Sequence, residues 1–321
     1  MSSILPCLFL AISIPEAYGA SGKQFGLAVL AGTVWVLALQ GLGLWGDERT
    51  RPAFLRYASL AGVGPILIAV GGFVDGRSRI VFWLAGMIVS LGGTILVNRR
   101  RGEDDNSAWR VNPVHFAERH GLFVIIVLGE VLVAIGVAAR EHEMTLLVAG
   151  AIAASAFLAA VVFWSYFGFI SRFGEEGLKV GHGLERARLA RDFFTYGHFP
   201  LVLGVAFLAS VIEHVVAHPE GHLHGEQLWL LGTSIVLIGG GFMGLQWRLR
   251  RQVAPERPIA IAVVLIFLAT AASHVGGVAA IAIVGAVMGV AQTIIARRVA
   301  RLTDGEAVDA EIAGSSAPRP A

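Results

Sequence analysis

Two ionisable side chains stand inside long apolar stretches of this sequence, where they could carry protons or ions. Glu130 lies in the run H-F-A-E-R-H-G-L-F-V-I-I-V-L-G-E-V-L-V-A-I-G, which opens on Glu118, Arg119 and His120. On a helix, the residues from Glu118 to Glu130 span about 18 Å, which reaches the middle of a bilayer's hydrocarbon core. A carboxylate there is costly unless it faces a partner or water. Glu130 is therefore a candidate proton or cation site, and the alternative is a structural hydrogen bond between helices.

A second candidate lies in the stretch R-D-F-F-T-Y-G-H-F-P-L-V-L-G, which begins at Arg191. Pro200 cannot donate a backbone hydrogen bond and clashes with the carbonyl group of Tyr196, four residues earlier. The resulting kink places a free carbonyl beside the side chains of Tyr196 and His198, which suits an ion or proton path. The alternative is a packing kink in which His198 bonds to a neighbouring helix.

Charged residues at the start of both stretches predict a gate, or bracing pairs, at the cytoplasmic mouth of the two helices. These residues are Glu118, Arg119, His120 and Asp192. His198 lies about 9 Å past Asp192 along a helix, whereas Glu130 lies about 18 Å past Glu118. Glu130 and His198 can therefore line one path at different depths, and a direct bond between them does not follow from the sequence.

The sequence H-P-E-G-H-L-H-G-E offers weak candidate metal ligands in His218, His222 and His224. Short His-rich tracts often bind metal without purpose, so we predict neither a metal site nor a cofactor. The chain also lacks a G-x-x-x-x-G-K-S/T loop, a G-x-S-x-G elbow and an H-E-x-x-H motif. We therefore predict that it is not an enzyme, because a membrane-embedded enzyme would need polar residues that converge at one depth.

The composition is typical of a protein that crosses a membrane many times. Of the 321 residues, 55% are hydrophobic and 15% are charged, and the mean hydropathy is +0.70. Soluble domains carry about 25% charged residues. The net charge of +2 does not indicate nucleic acid as a partner, since the basic residues fall in short loops. The single cysteine excludes an internal disulfide.

Apolar segments predict an all-α polytopic bundle of about ten transmembrane helices. They cover residues 2–18, 23–45, 55–74, 80–98, 119–139, 144–170, 194–217, 226–247, 258–274 and 277–296. Alternate connections then contain all but four of the 25 Lys and Arg residues, and the exceptions are Lys23, Arg77, Arg79 and Arg140. By the positive-inside rule, both termini are cytoplasmic. The run at residues 4–14 mimics a signal peptide but lacks a basic start, so we expect a retained helix.

The domain organisation predicted from these segments is simple. One transmembrane domain covers residues 1–302, and a disordered cytoplasmic tail covers residues 303–321, which are acidic and poor in large apolar side chains. The lipid bilayer is the expected partner, together with a small solute or ion. The sequence is compatible with a homo-oligomer.

The segment H-F-A-E-R-H-G-L-F-V-I-I-V-L-G-E-V-L resembles a pattern of the bacterial low temperature requirement A (LtrA) family, His-x-x-Glu-Arg followed by Leu-Phe-x-Ile-Ile-x-Leu-Gly-Glu. The stretch around His198 is similar to the family's Tyr-x-His-x-Pro-Leu-x-x-Gly, and I-P-E-A-Y-G looks like the end of an early family helix. The resemblance implies a multi-pass protein of the bacterial inner membrane, linked by name to growth in the cold. It supplies no established substrate or reaction.

Family members usually begin with a helix that carries Glu-Leu-Phe-Phe-Asp-Leu-Val-Phe-Val, and this sequence has no such stretch. The expectation is that the chain lacks the family's N-terminal helices. That segment is similar to the Glu-x-x-x-Leu-Phe at residues 118–123, which suggests that the family is built from a repeat.

Two functional hypotheses follow. The leading one is a transport or channel-like protein with a path for protons, ions or a small solute past Glu130, His198 and Tyr196. The alternative is a non-transporting membrane adaptor, or cold-adaptation factor, in which the same side chains hold helices together.

Overall fold

Helices follow one another along nearly the whole chain. The computed structural model describes residues 4–44, 46, 48, 51–99 and 112–315. These residues contain no β-strand beyond one isolated bridge between His222 and Gly276, so the all-α prediction is confirmed. The helices divide into two compact units, Met1–Arg110 and Val111–Ala321.

Five α-helices lie in the described residues of the first unit. They are α1 (Ile4–Ser13), α2 (Gly22–Leu44), α3 (Arg51–Ala61), α4 (Val63–Gly72) and α5 (Gly76–Arg99). Helix α4 packs against both α2 and α5. Small residues permit this close approach, because a Cβ atom on Gly86 would lie 2.7 Å from the carbonyl oxygen of Gly64.

Between residues 112 and 315, the second unit contains eight α-helices and two π-helical segments, which we call π1 (Tyr166–Ile170) and π2 (Ala190–Tyr196). The α-helices are α6 (Pro113–Ala139), α7 (Leu146–Ser165), α8 (Ser171–Val180), α9 (Gly183–Leu189), α10 (His198–Ala217), α11 (Gly225–Arg250), α12 (Glu256–Thr270) and α13 (Gly277–Ser315). Helix α10 packs between α6 and α11, and α7 packs against α13. A short 3₁₀ turn, Ala272–His274, precedes α13.

Local sequence explains where the helices of the second unit begin. The side chain of Asn112 accepts hydrogen bonds from the backbone N–H groups of Val114 and His115, and Pro113 takes the first helical position. Thr145 caps α7 in the same way through Val148. Beyond these caps, the helices are apolar on most faces, as helices are when lipid or other helices surround them.

Seven helices of the described residues are long and apolar enough to cross a membrane. They are Gly22–Leu44, Phe54–Gly72, Pro113–Ala139, Leu146–Val180, Ala190–Ala217, Gly225–Arg250 and Gly277–Arg301. The other three predicted segments form α1, α5 and α12. The structure therefore bears out a multi-pass helical protein, while the count of ten spans and the cytoplasmic termini stay predictions.

The C-terminal segment differs from expectation. The sequence predicted a disordered tail from residue 303, but α13 continues to Ser315, and residues 316–321 lie outside the described part of the chain. Ala and Glu recur between residues 306 and 313, and both residue types have high helix propensity.

A buried arginine organises the first unit. Arg79 is 4% exposed, and its Nη1 donates hydrogen bonds to the carbonyl groups of Ala17, Tyr18 and Gly19. Its Nη2 lies 2.7 Å from Asp75 Oδ1. Arg79 thus fixes the loop at the end of the I-P-E-A-Y-G stretch. The sequence identified Arg79 only as one of the four exceptions to the distribution of basic residues, which did not suggest this role.

Candidate functional site

The second unit buries a hydrogen bond between Tyr166 and His198. Tyr166 is 0% exposed and His198 is 2% exposed, and the Tyr166 Oη and His198 Nε2 atoms are 2.8 Å apart. The other ring nitrogen, His198 Nδ1, lies 3.0 Å from the carbonyl oxygen of Phe193. Because a carbonyl can only accept, Nδ1 carries the proton of the neutral ring, and the Tyr166 hydroxyl donates to Nε2.

Both partners are positioned by π-helical backbone. Tyr166 is the first residue of π1, and His198 follows π2 after the turn at Gly197. In π2 the backbone N–H of Gly197 donates to the carbonyl of Asp192, five residues earlier, at 3.0 Å. This wider turn disturbs the regular ladder, and the carbonyl of Phe193 accepts from the His198 ring. Single π-helical turns of this kind occur frequently at functional sites.

A third titratable side chain, His120 on α6, meets the pair. Its ring centroid lies 5.5 Å from that of His198, and its Nδ1 lies 2.9 Å from the carbonyl oxygen of Phe116. His120 is half-buried, and no hydrogen bond reaches its Nε2 from the residues that the structure describes. We call His120, Tyr166 and His198 the histidine–tyrosine cluster.

Aromatic rings enclose this cluster. The Phe194 ring stacks on His198 at a centroid distance of 5.7 Å and an interplanar angle of 8°, and it meets His120 edge-on at 5.0 Å. Phe193 is fully buried against the other side of the same region, 5.9 Å from His198. The cluster is therefore a polar centre in an apolar shell, where an unpaired polar atom is costly.

The structure does not bring Glu130 to His198. Glu130 is exposed on α6, whereas the residue of α6 that contacts His198 is His120. The two α6 positions are ten residues apart, which turns them about 80° away from each other around the helix and separates them by about 15 Å. Tyr196 lies at the end of π2 and is half-buried. The roles of Glu130 and Tyr196 in a proton or ion path therefore stay predictions.

The residues predicted as a gate or brace occupy two places. Glu118 and Arg119 are exposed on α6, and Glu118 Oε2 lies 3.3 Å from His115 Nδ1 on the same helix. Asp192 instead makes a connection to α11, since its Oδ2 lies 3.3 Å from Arg248 Nε. Among the described residues, Asp192 thus pairs with Arg248 and with its neighbour Arg191 rather than with the charged start of α6.

Pro200 is the third residue of α10, directly after π2 and Gly197. A proline in the first turn of a helix is tolerated, because the N–H that it lacks has no helical partner there. The sequence predicted an interruption of the helix near Pro200. In the structure this interruption consists of a π-helical segment followed by the start of a new helix. The carbonyl group that accepts from His198 is that of Phe193 and not that of Tyr196.

The histidines of the outer loop do not converge on one point. His218 bonds the neighbouring backbone and packs against His214, while His222 stacks on His224 at 6.1 Å. Within the described ranges, no three His, Cys, Asp or Glu side chains are grouped so that they could hold a metal ion.

A second buried polar cluster was missed from the sequence. Gln292 Oε1 on α13 accepts from Ser165 Oγ at 2.9 Å and from Arg257 Nη2 at 3.3 Å, and the three side chains are at most 4% exposed. Arg257 also faces the ring of Phe242 at 5.0 Å. We call Ser165, Arg257 and Gln292 the arginine–glutamine cluster. Arg257 and Gln292 lie close to the ends of the predicted apolar segments, where sequence patterns predict contact with the membrane interface or a position in a loop.

Arg257 keeps its charge in this position. Burial lowers the pKa of its guanidinium to about 10, and the nearby Glu256 opposes that shift. The residue lies in the first turn of α12, outside the seven candidate spans. Since a pKa near 10 leaves the group protonated at neutral pH, the arginine–glutamine cluster contains a full positive charge.

Apolar helices of membrane-spanning length, with polar side chains buried between them, define a multi-pass membrane protein. The chain belongs to the family of the bacterial low temperature requirement A protein (LtrA), whose family model matches residues 1–292.

A curated relative is an uncharacterized protein of Rhizobium meliloti (strain 1021), which is 26% identical over 250 residues. The aligned region covers 76% of this chain and 59% of the relative, so the chain spans less than two thirds of that protein's length. No solved structure matches the chain.

Proposed function

We propose that this LtrA-family protein moves protons, or a small solute coupled to protons, across its membrane. The observation that supports this function is the histidine–tyrosine cluster, in which three titratable side chains from three helical segments meet in an apolar shell. Ionisable groups inside a membrane protein are costly and typically mark ion or proton pathways.

The hydrogen bonds of the cluster suit proton exchange. The Tyr166 hydroxyl donates to His198 Nε2, and it can turn to accept when that nitrogen takes a proton. Two charged imidazole rings at a centroid distance of 5.5 Å would repel each other strongly in a medium of low dielectric. His120 and His198 would therefore share one added proton between them, as a proton carrier with two positions requires.

Glu130 has a place in this proposal as a second ionisable station along α6. Its exposed position on an apolar helix needs water or a partner group. It would act about 15 Å further along the helix than His120.

The test is proton flux into liposomes that contain the purified protein and a pH-sensitive dye, driven by an imposed potential or pH gradient. We expect acidification with the unmodified chain, and we expect His198→Gln and Tyr166→Phe to reduce it to the rate of protein-free liposomes. His115→Gln is the matched control, because it removes an exposed histidine from the same helix as His120. A chain that carries no proton, cation or small solute under any gradient would refute the proposal.

One observation favours a non-transporting adaptor instead. Both ring nitrogens of His198 already have hydrogen-bond partners, as a purely structural side chain requires. Under this alternative, His198→Gln lowers the amount of protein in the membrane, and the surviving protein shows no flux before or after the substitution.

A further inference from the structure

We infer that the arginine–glutamine cluster is a binding site for a small oxyanion, such as a carboxylate or phosphate group. The first step of the argument is its unpaired donors. Arg257 Nε and Gln292 Nε2 are buried and have no hydrogen-bond partner among the described residues. A buried donor without a partner is costly, and a site that retains two of them favours a ligand with acceptor atoms.

The orientation of the Gln292 amide is fixed by its neighbours. Its Oε1 receives one bond from Ser165 Oγ and one from Arg257 Nη2. The opposite orientation would set the amide nitrogen against the Arg257 donor, because a guanidinium cannot accept. The unpaired Nε of Arg257 belongs to the guanidinium group, and the unpaired Nε2 of Gln292 belongs to the amide group. These two planar groups form the Arg257–Gln292 hydrogen bond. This hydrogen bond links the two groups that carry the unpaired donors, and a carboxylate offers two acceptor oxygens to such a pair.

The charges of the region point to an anion. Glu256 is the acidic residue beside Arg257, but its Oε1 is already paired with Arg298 at 3.2 Å. Arg257 makes no ion pair with a carboxylate in the part of the chain that the structure describes, and its side-chain contacts are with the neutral Gln292 amide and the Phe242 ring. The charge of Glu256 acts on Arg257 without a direct bond, its Oε2 is buried without a hydrogen-bond partner, and Glu256 is shared with the exposed Arg298. A buried charge of this kind requires a counter-charge.

The position of Ser165 connects this site with the histidine–tyrosine cluster. Ser165 donates to Gln292, and the next residue, Tyr166, is hydrogen-bonded to His198. Occupancy of the oxyanion site can therefore act on the histidines through one peptide unit at the start of π1. The inference names the solute class that the proposed transport would carry, and in that respect it rests on the proposed function, whereas binding itself does not.

The experiment measures the thermal midpoint of the purified full chain in detergent. Sodium acetate and sodium phosphate are the probes, each compared with sodium chloride at equal ionic strength. At about 100 times its dissociation constant, a ligand that binds only the folded state should raise the midpoint by about 5 °C or more. Whichever oxyanion gives the larger shift identifies the carboxylate or phosphate class. Equal midpoints in all three salts would overturn the inference.

Two substitutions locate the effect. Gln292→Glu places a carboxylate beside Arg257, so we expect a higher midpoint in chloride and no response to acetate or phosphate. Arg257→Gln should also lose the response. Arg297→Gln is the control, because it removes an exposed arginine from the helix that carries Gln292. A Gln292→Glu variant with the response of the unmodified chain would overturn the site, whatever the flux assay shows.

Discussion

Tyr166 and His198, 32 positions apart in the chain, are joined by a hydrogen bond of 2.8 Å. Tyr166 begins π1, His198 begins α10 just after π2, and α6 adds His120. The hydrogen bond and the contact between the two histidine rings therefore bring three parts of the second unit together, with the groups on which a proton path would depend.

Tyr166→Phe should destabilise the protein while it leaves the packing volume almost unchanged. The substitution leaves His198 Nε2 buried without its donor, at a cost of about 1–3 kcal/mol. Thermal unfolding in detergent measures this loss. Tyr18→Phe is the control, because it removes the hydroxyl of an exposed tyrosine, and similar midpoints for the two variants would contradict the prediction.

Gly197→Ala should disrupt the junction between π2 and α10. A Cβ atom there would overlap the Leu245 side chain and would lie 2.6 Å from the carbonyl oxygen of Phe193. Overpacking of this kind costs about 1–3 kcal/mol. Gly244→Ala on α11 is the matched control, since nothing lies within 4 Å of its Cβ position, and we expect it to be neutral or stabilising. A Gly197→Ala variant as stable as Gly244→Ala would show that the junction tolerates a side chain.

Arg79→Gln should open the loop at residues 14–21 in the first unit. The substitution removes donors from three backbone carbonyl groups and a partner from Asp75. Hydrogen bonds to a charged group contribute about 1.5–3 kcal/mol each at most, and the buried carbonyls would lose their partner. Faster hydrogen exchange or proteolysis in this loop is the expected result. Arg77→Gln changes an exposed arginine on the same helix and should leave the loop protected.

The Asp192–Arg248 ion pair should contribute little to stability and should weaken in salt. Both side chains are partly exposed, at 30% and 24%, and Arg248 also contacts Glu185 at 3.1 Å. A double-mutant cycle of Asp192→Asn and Arg248→Gln should give a coupling energy of about 0.5–1 kcal/mol that falls as salt screens the pair. A coupling that salt does not change would indicate a pair shielded from solvent.

Glu130→Gln separates a working carboxylate from a structural one. Glu130 is exposed, so its neutralisation should remove no buried partner and should leave the amount of protein in the membrane unchanged. If Glu130 belongs to the proposed path, proton flux falls. Glu141→Gln, which neutralises an exposed carboxylate just beyond the end of α6, should retain flux. A loss of protein in step with the loss of flux would assign Glu130 a structural role instead.

The sequence was sufficient to predict the helices, because an apolar run of about 20 residues has few alternatives to a membrane helix. It also led to His198, since Pro200 marks an interruption nearby. The sequence placed a free carbonyl at Tyr196 beside His198, and the structure shows that the carbonyl bonded by the His198 ring is that of Phe193. Proline chemistry predicts where regular backbone fails, but not which hydrogen bonds replace it.

The partners of His198 could not be predicted, because helical periodicity places a residue on a face without stating which helix that face meets. Tyr166 and His120 lie on different helices, and no local pattern relates them to His198. The arginine–glutamine cluster was missed for a related reason. Arg257 was counted with the loop charges, and Gln292 lies near the end of the predicted segment 277–296, although tertiary packing buries both.

The two π-helical segments also make a prediction about relatives of this protein. In each segment a turn holds one residue more than a turn of α-helix, and removal of that residue would restore α-helical spacing and change which side chains face the cluster. Such a deletion would leave a continuous helix, yet His198 would face away from Tyr166. When homologous sequences are aligned, single-residue gaps inside Tyr166–Ile170 or Ala190–Tyr196 should therefore separate relatives that retain this centre from those that have lost it.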